Sequence, residues 1–147
     1  MERVIKGRAL VGGEAEGEAL VTDEPLSFWG GYDQRTGEII DRRHPLSGQI
    51  AAGRVLALPA SRGSSTTTAV LLEAVKLDKA PAAIVTIAPE KRVDHFFSLA
   101  SIVAEEMYQK PIPIAAVAPE DFATLRTGQW LRVCRDGTLI VLTGAVL

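Results

Sequence analysis

The chain has 147 residues, of which 47% are hydrophobic and 23% charged, and its formal net charge is −2. This composition excludes a disordered chain and, without a long run of one charge, argues against a nucleic-acid or membrane partner. One cysteine, Cys134, and two distant histidines, His44 and His95, argue against a disulfide framework or a metal centre built by this chain alone. We expect one domain over residues 1–147, and the lack of a signal peptide or long apolar run predicts a cytoplasmic protein.

The first third of the chain favours short strands separated by turns rich in glycine and proline. Phe28 and Trp29 are interpreted as core residues under a loop, because aromatics make up only 5% of the chain. In order, the pattern predicts a strand over residues 3–11, a turn over 12–17, a strand over 18–22, and a polar turn leading into a short strand over 32–40.

A charged segment over residues 41–49 leaves two interpretations open. It is either a solvated surface loop or a loop beside a ligand, because Asp33, Asp41 and His44 could face the same opening.

The middle of the chain alternates apolar strands with helical patterns. The strand over 53–59 has little polar alternation, so we expect both of its faces to be covered. The spacing of strand, helix and strand predicts parallel pairing in a central βαβαβ unit. In order, the elements are a strand over 53–59, a helix from Ser64 or Ser65 to about Leu77, a strand over 82–87, a helix over 96–108, a strand over 111–117, a short helix over 119–125 and a hairpin of 130–134 with 138–142. The fold class is therefore mixed α/β.

The turn at Arg62, Gly63, Ser64 and Ser65 is the main candidate for a functional site. A helix start offers free N–H groups to an anion, Gly63 allows a close turn, and Arg62 can pair with a carboxylate or phosphate. The turn is not a phosphate-binding P-loop, because the spaced glycines and the lysine are missing. Ordinary capping by Ser64 remains the alternative, although five consecutive hydroxyl residues, Ser64 to Thr68, exceed what one cap needs.

If Ser64 is catalytic, its activation must come from outside its own side chain. A serine is a poor base, and removing a proton from carbon requires an alkoxide stabilised by N–H groups or a cation. No histidine lies at a spacing that predicts a Ser–His pair. The helix N-terminus, Arg62 or a partner chain would have to supply the stabilisation.

Several motifs together carry a family resemblance over nearly the whole chain. They are GEAEGEALV at 13–21, LSFWGG at 26–31, DRRHPLSG at 41–48, GRVL at 53–56, RGSS at 62–65 and IVAEE at 102–106. In this order they resemble the small subunit, or swivel domain, of aconitase X. The resemblance implies a swivelling β/β/α domain, with a mixed sheet or barrel-like β part around the central βαβαβ unit.

The resemblance also implies an activity and a partner. It implies a hydro-lyase that dehydrates a small hydroxy acid, and we expect cis-3-hydroxy-L-proline as the substrate. A separate large subunit would form a heterodimer or larger assembly and hold the iron or iron–sulfur cluster, while this chain alone binds no cofactor. The catalytic serine of the family maps onto Ser64 as the proton acceptor, and Arg62, Gly63, Ser65 and Thr66 would bind substrate.

Three alternatives stay open at this stage. Many relatives have residues rich in glycine or serine after the catalytic serine, whereas this chain has Thr66, Thr67 and Thr68, whose bulkier hydroxyls could reshape the pocket. The substrate is therefore open, and the resemblance offers mevalonate 5-phosphate as the first alternative. A non-catalytic swivel module that binds an anionic metabolite and regulates a partner is a second alternative. A phosphohistidine carrier using His44 is a third, supported only by the charged loop around it.

Overall fold

The computed structural model describes residues 2–28, 30–60, 66–87 and 95–142. Within them, eight strands and three helices follow one another along the chain. They are β1 (Glu2–Ile5), β2 (Gly7–Val11), β3 (Ala15–Val21), β4 (Val55–Ala57), α1 (Thr66–Lys76), β5 (Ala83–Ile87), α2 (His95–Tyr108), β6 (Ile114–Val117), α3 (Pro119–Phe122), β7 (Trp130–Val133) and β8 (Leu139–Leu142).

The predicted central βαβαβ unit is confirmed, and it lies at the middle of an eight-stranded mixed sheet. The strand order is β1-β8-β7-β3-β4-β5-β6-β2, and the four strands from β3 to β6 are parallel. β4 is buried on both faces, as its unbroken apolar sequence predicts. α1 and α2 connect the parallel strands and pack against each other. The mixed α/β fold class is therefore confirmed.

The two ends of the sheet are joined through a single residue. β1 pairs antiparallel with β8 and β2 pairs antiparallel with β6, so β1 and β2 run in the same direction with only Lys6 between them. The predicted strand over 3–11 is therefore one extended path that changes partners at Lys6. This connection closes the sheet into a barrel, and a backbone hydrogen bond of 3.2 Å from Ala9 N–H to the Asp136 carbonyl crosses the closure.

Two apolar cores follow from the alternation of side chains along the strands. One core fills the inside of the barrel and includes Val55, Ala57, Val85 and Leu131. The other lies between the outer face of the parallel strands and the helices, with side chains such as Leu56 facing α1. Side chains of adjacent residues in β4 and β5 thus pack in different cores, and those at even-numbered positions face the helices.

Most predicted elements differ from the structure by a few residues at one or both ends, and two differences are informative. β3 begins at Ala15 and not at Glu18, because Gly17 lies inside the strand, where a Cβ atom would lie 2.9 Å from the Gly53 carbonyl oxygen. The strand predicted within residues 32–40 is reduced to isolated bridges, such as Tyr32 with Ile39. Phe28 is fully buried and stacks on Tyr32 at 5.3 Å, as expected of a core aromatic, whereas Trp29 lies outside the described residues.

The long connection between β3 and β4 is tied to the rest of the domain by side-chain bonds. The Tyr32 hydroxyl donates to the Lys79 carbonyl at 2.6 Å. The Arg54 guanidinium donates to Gln49 Oε1 at 3.2 Å and to Glu18 Oε1 at 3.3 Å. These bonds hold the connection against the amino-terminal edge of the parallel strands, away from the edge where α1 begins.

Candidate functional site

The predicted site turn follows β4 in the chain, and β4 ends at the carboxyl edge of the parallel strands β3, β4 and β5. In α/β folds with parallel strands, open or closed, ligands bind at this edge, where the connections to the following helices leave the strands. The segment from Ser61 to Ser65 joins the end of the β4 path to α1, so the sequence connects the predicted serine turn to this edge.

Of the predicted site residues, Ser64, Arg62, Gly63 and Ser65 lie outside the described residues. Thr66 lies within them, as the first residue of α1. The predicted helix is confirmed over Thr66–Lys76, and its predicted start at Ser64 or Ser65 lies outside the described residues. The predicted roles of these five residues remain predictions.

The start of α1 has the electrostatic character expected of an anion-binding helix end. Its first N–H groups have no carbonyl partner within the helix, and the helix dipole makes this end partially positive. No acidic residue occurs in the first turn of α1 to compete with an anion. Thr67 is only 1% exposed, so its side chain anchors this end of the helix in the domain.

Two other buried threonines lie beside the end of β4. The register pairs Val21 with Ala57 and Ala57 with Val85. The next residues of the three strands, Thr22, Leu58 and Thr86, therefore lie side by side, and Leu58 belongs to the core between the sheet and the helices. Thr22 is 5% exposed and Thr86 is 4% exposed. The two threonines of this row were not singled out in the sequence, because a single threonine inside an apolar strand is an ordinary β-branched residue.

The bonds of this row hold the end of β4 from both sides. Thr22 N–H donates to the Ala57 carbonyl at 3.0 Å, and Leu58 N–H donates to the Val85 carbonyl at 3.0 Å. Beyond Leu58, the Thr86 hydroxyl Oγ1 donates to the Pro59 carbonyl at 2.9 Å. Hydrogen bonds therefore hold the described backbone up to Pro59, three residues before Arg62, the first residue of the predicted site turn.

The loop residues Asp33, Asp41 and His44 each bond within their own turn. Asp33 Oδ1 accepts from Arg35 N–H at 2.8 Å, and Asp41 Oδ1 accepts from Arg43 N–H at 3.0 Å. Such local bonds stabilise turns and favour the interpretation of 41–49 as a structural loop.

His44 has an environment that does not suit a phosphate carrier. It is 8% exposed, and its Nδ1 accepts a hydrogen bond of 3.1 Å from Leu46 N–H. Its Nε2 is buried and has no hydrogen-bond partner among the described residues. One ring nitrogen is thus occupied and the other is shielded from solvent, so neither is open to a phosphate donor.

The described residues do not fit a metal ion or an iron–sulfur cluster. They contain no group of three His, Cys, Asp or Glu side chains that could hold a metal. The free thiol of Cys134 follows β7, whose last residue Val133 pairs with Ala15 at the start of β3, so it lies at the opposite edge of the sheet. In the part of the chain that the structure describes, no helix is both long and apolar enough to cross a membrane.

Comparison with known proteins gives matches over almost the whole chain. A family model for the aconitase X swivel domain matches residues 4–142. The cis-3-hydroxy-L-proline dehydratase of Pseudomonas aeruginosa is 46% identical over 136 residues, which are 92% of this chain. The phosphomevalonate dehydratase small subunit of Thermococcus onnurineus is 39% identical over 136 residues, and the match covers 92% of this chain and 95% of that protein.

The structural comparison supports the same grouping. The crystal structure of Thermococcus kodakaraensis aconitase X in its holo form matches 96% of this chain and 99% of that chain, with a TM-score of 0.81 and 34% identity. The chain spans 22% of the length of the Pseudomonas dehydratase that it matches. The predicted resemblance and the predicted swivel-type fold are confirmed, and the chain belongs to the aconitase X swivel domain family.

Proposed function

We propose that this chain is the swivel part of an aconitase X-type hydro-lyase and that it acts only with a large partner. The observation that carries the proposal is the 46% identity with the Pseudomonas cis-3-hydroxy-L-proline dehydratase. The proposed substrate is therefore cis-3-hydroxy-L-proline. The chain would act in the cytoplasm as a small subunit in a heterodimer or a larger assembly.

The active site would be shared between the two partners. Relatives named as small subunits support a large-subunit partner. Because the described residues do not fit a metal or a cluster, the proposal assigns an iron ion or iron–sulfur cluster to the large subunit. This chain would contribute proton transfer and substrate binding from the carboxyl edge of its parallel strands.

Ser64 would take the proton from the substrate carbon. A serine can do this only as an alkoxide, which needs fixed positive charge or N–H donors around its oxygen. The start of α1 supplies N–H groups and a partially positive dipole end, and it has no acidic residue in its first turn. Arg62, Gly63, Ser65 and Thr66 would bind the negative end of the substrate.

The test is co-expression with the large subunit, followed by a dehydration assay. Ser64→Ala should abolish turnover of cis-3-hydroxy-L-proline and leave the complex intact in size-exclusion chromatography. Ser47→Ala, in the exposed part of the 41–49 loop, is the matched control and should retain full activity. Activity of Ser64→Ala equal to that of the unmutated complex would remove Ser64 from the mechanism.

Dehydration of mevalonate 5-phosphate is the second candidate. The 39% identity with the phosphomevalonate dehydratase small subunit of Thermococcus onnurineus, which the match covers over 95% of its length, favours it. A substrate screen with both hydroxyproline isomers and mevalonate 5-phosphate separates the two. Binding of an anionic metabolite without turnover of any of them would instead support a regulatory module.

A further inference from the structure

β8 is apolar on both of its faces, although only one of them lies against a core of this chain. Its sequence is LIVL, and Leu139 and Val141 point into the barrel. Ile140 and Leu142 therefore point outwards, where they are only partly buried and belong to neither apolar core. An antiparallel strand that faces water on one side alternates apolar with polar residues, whereas an unbroken apolar run is typical of a strand covered on both faces. The sequence of β8 therefore indicates a second covering surface.

The neighbouring strands extend this outward apolar face into a patch. The register places Val4 of β1 opposite Ile140 and Trp130 of β7 opposite Leu142. Val4 is 65% exposed, more than any other large hydrophobic side chain in the described part of the chain. The outer apolar patch is defined here as Val4, Trp130, Ile140 and Leu142. Single exposed apolar residues are ordinary, but a contiguous group of them marks an interaction surface.

Both ends of the described chain lie beside the outer apolar patch. Glu2 pairs with Leu142, so the first and last described residues are neighbours at one end of the β1–β8 ladder. The chain spans 22% of the Pseudomonas dehydratase, so that relative has further polypeptide outside the matched region. Polypeptide that continues from either end of such a domain begins next to the patch. In the Thermococcus onnurineus small subunit the match covers 95% of the protein, so a partner there is a separate chain and needs a surface that holds it.

The outer apolar patch also lies toward the carboxyl edge of the parallel strands. β7 runs antiparallel to β3 and β8 antiparallel to β7, so β8 points in the direction of β3 and ends toward that edge. The turn before β7 bonds to both regions. Arg3 Nη1 donates to Thr124 Oγ1 at 2.8 Å, and Val21 N–H donates to Thr127 Oγ1 at 2.9 Å. A partner seated on the patch would therefore lie beside the edge at which substrate binding is proposed.

We propose that the outer apolar patch is the docking surface for the large subunit. This inference rests on the function proposed above, which requires that partner. Interfaces combine an apolar centre with a polar rim, and tryptophan is enriched among the residues that carry their binding energy. The exposed ion pair of Arg132 with Glu16, at 3.0 Å, supplies such a rim, because Arg132 lies opposite Ile140 on the same face.

Val4→Glu and Ile102→Glu form a matched pair of variants on two exposed apolar surfaces. Ile102 is 52% exposed and lies on α2, which covers the other half of the sheet. Because both side chains are largely exposed, each variant of the isolated chain should keep its melting temperature within about 2 °C. Val4→Glu should raise the Kd of the complex at least ~30-fold, because docking would bury an unpaired carboxylate. Ile102→Glu should leave the Kd unchanged. Sedimentation velocity of the co-expressed complexes over a dilution series measures both values.

Hydroxyl-radical footprinting tests the same surface without a substitution. Trp130 should react more slowly in the complex than in the isolated chain. Met107, which is 62% exposed on α2, should react equally in both.

Three results would overturn the docking surface. They are a Kd of Val4→Glu equal to that of the unmutated complex, an unchanged reactivity of Trp130, and a dimer of the isolated chain that Val4→Glu dissociates, which would assign the patch to a second copy. If the complex forms but turns over no substrate in the screen, the proposed function fails, and the footprint still decides where the large subunit docks.

Discussion

Substitution of Gly137 by alanine tests the closure of the barrel. Gly137 lies in the turn between β7 and β8 at φ +93°, and an added Cβ would lie 2.9 Å from Arg8 Cα and closer still to Ala9 N. Both contacts are with the backbone of β2, which cannot move without disturbing its pairing with β6. Gly128 is a matched control, because it has φ +96° and no atom within 4 Å of the added Cβ.

The two glycines separate backbone strain from crowding. A left-handed conformation costs an L-residue about 1–2 kcal/mol, and both variants incur that cost. Crowding of a packed site adds roughly 1–3 kcal/mol at Gly137 alone. We therefore expect Gly128→Ala to lower the free energy of unfolding by about 1–2 kcal/mol and Gly137→Ala by about 2–5 kcal/mol.

Urea denaturation at a fixed protein concentration measures both values. Tryptophan fluorescence is a suitable signal, because Trp130 is the first residue of β7 and partly buried. Equal losses for Gly128→Ala and Gly137→Ala would refute a tight closure between the β7–β8 turn and β2, since backbone strain alone would then explain both.

Two further predictions concern the helix side of the domain. Burial raises the pKa of Tyr32 above its ordinary value of 10.0, so the folded protein keeps the phenolic proton where the unfolded chain loses it. The free energy of unfolding should then fall as pH rises above about 10, by up to ~1.4 kcal/mol per pH unit. Tyr32→Phe should remove this contribution to the pH dependence, which denaturation curves recorded between about pH 9 and about pH 11 would measure. Gln109 follows α2 at φ +56°, so Gln109→Gly should stabilise the protein by about 0.5–1 kcal/mol, because relief of the left-handed conformation exceeds the added chain entropy. Gln109→Ala keeps the strain, and a similar gain in that variant would contradict this explanation.

The sequence was sufficient for the central parallel unit, because local patterns determine it. β4 and β5 are short apolar runs between turn residues, and α1 and α2 have helical spacing of suitable length. Their existence, order and parallel pairing followed from these patterns without knowledge of distant contacts.

Features that depend on distant parts of the chain could not be predicted in the same way. The interruption at Lys6 arises because β1 and β2 pair with different strands, and nothing in the local sequence shows such an exchange. Gly17 resembled a turn residue, although its role is to let β3 approach the backbone of Gly53. Both errors come from tertiary contacts that override local preference.

For the candidate site, the sequence indicated the serine turn but not the hydrogen bond at the end of the preceding strand. The run from Ser64 to Thr68 is conspicuous by its hydroxyl content. Thr86 is a single threonine in an apolar strand, and its bond to the Pro59 carbonyl appears only once the register of β4 and β5 is known. The sequence could therefore indicate candidate chemistry better than it could indicate hydrogen bonds between distant segments.

The pairing of β1 with β8 has a consequence for how the chain folds. Glu2 lies opposite Leu142, so this pair joins residues that are nearly a full chain length apart. Contacts of such separation carry a large loop-closure entropy and form late, after the local βαβ contacts. During synthesis, β1 would remain an unpaired edge until β8 leaves the ribosome, and a chain interrupted before Leu139 would expose the edges of both β1 and β7.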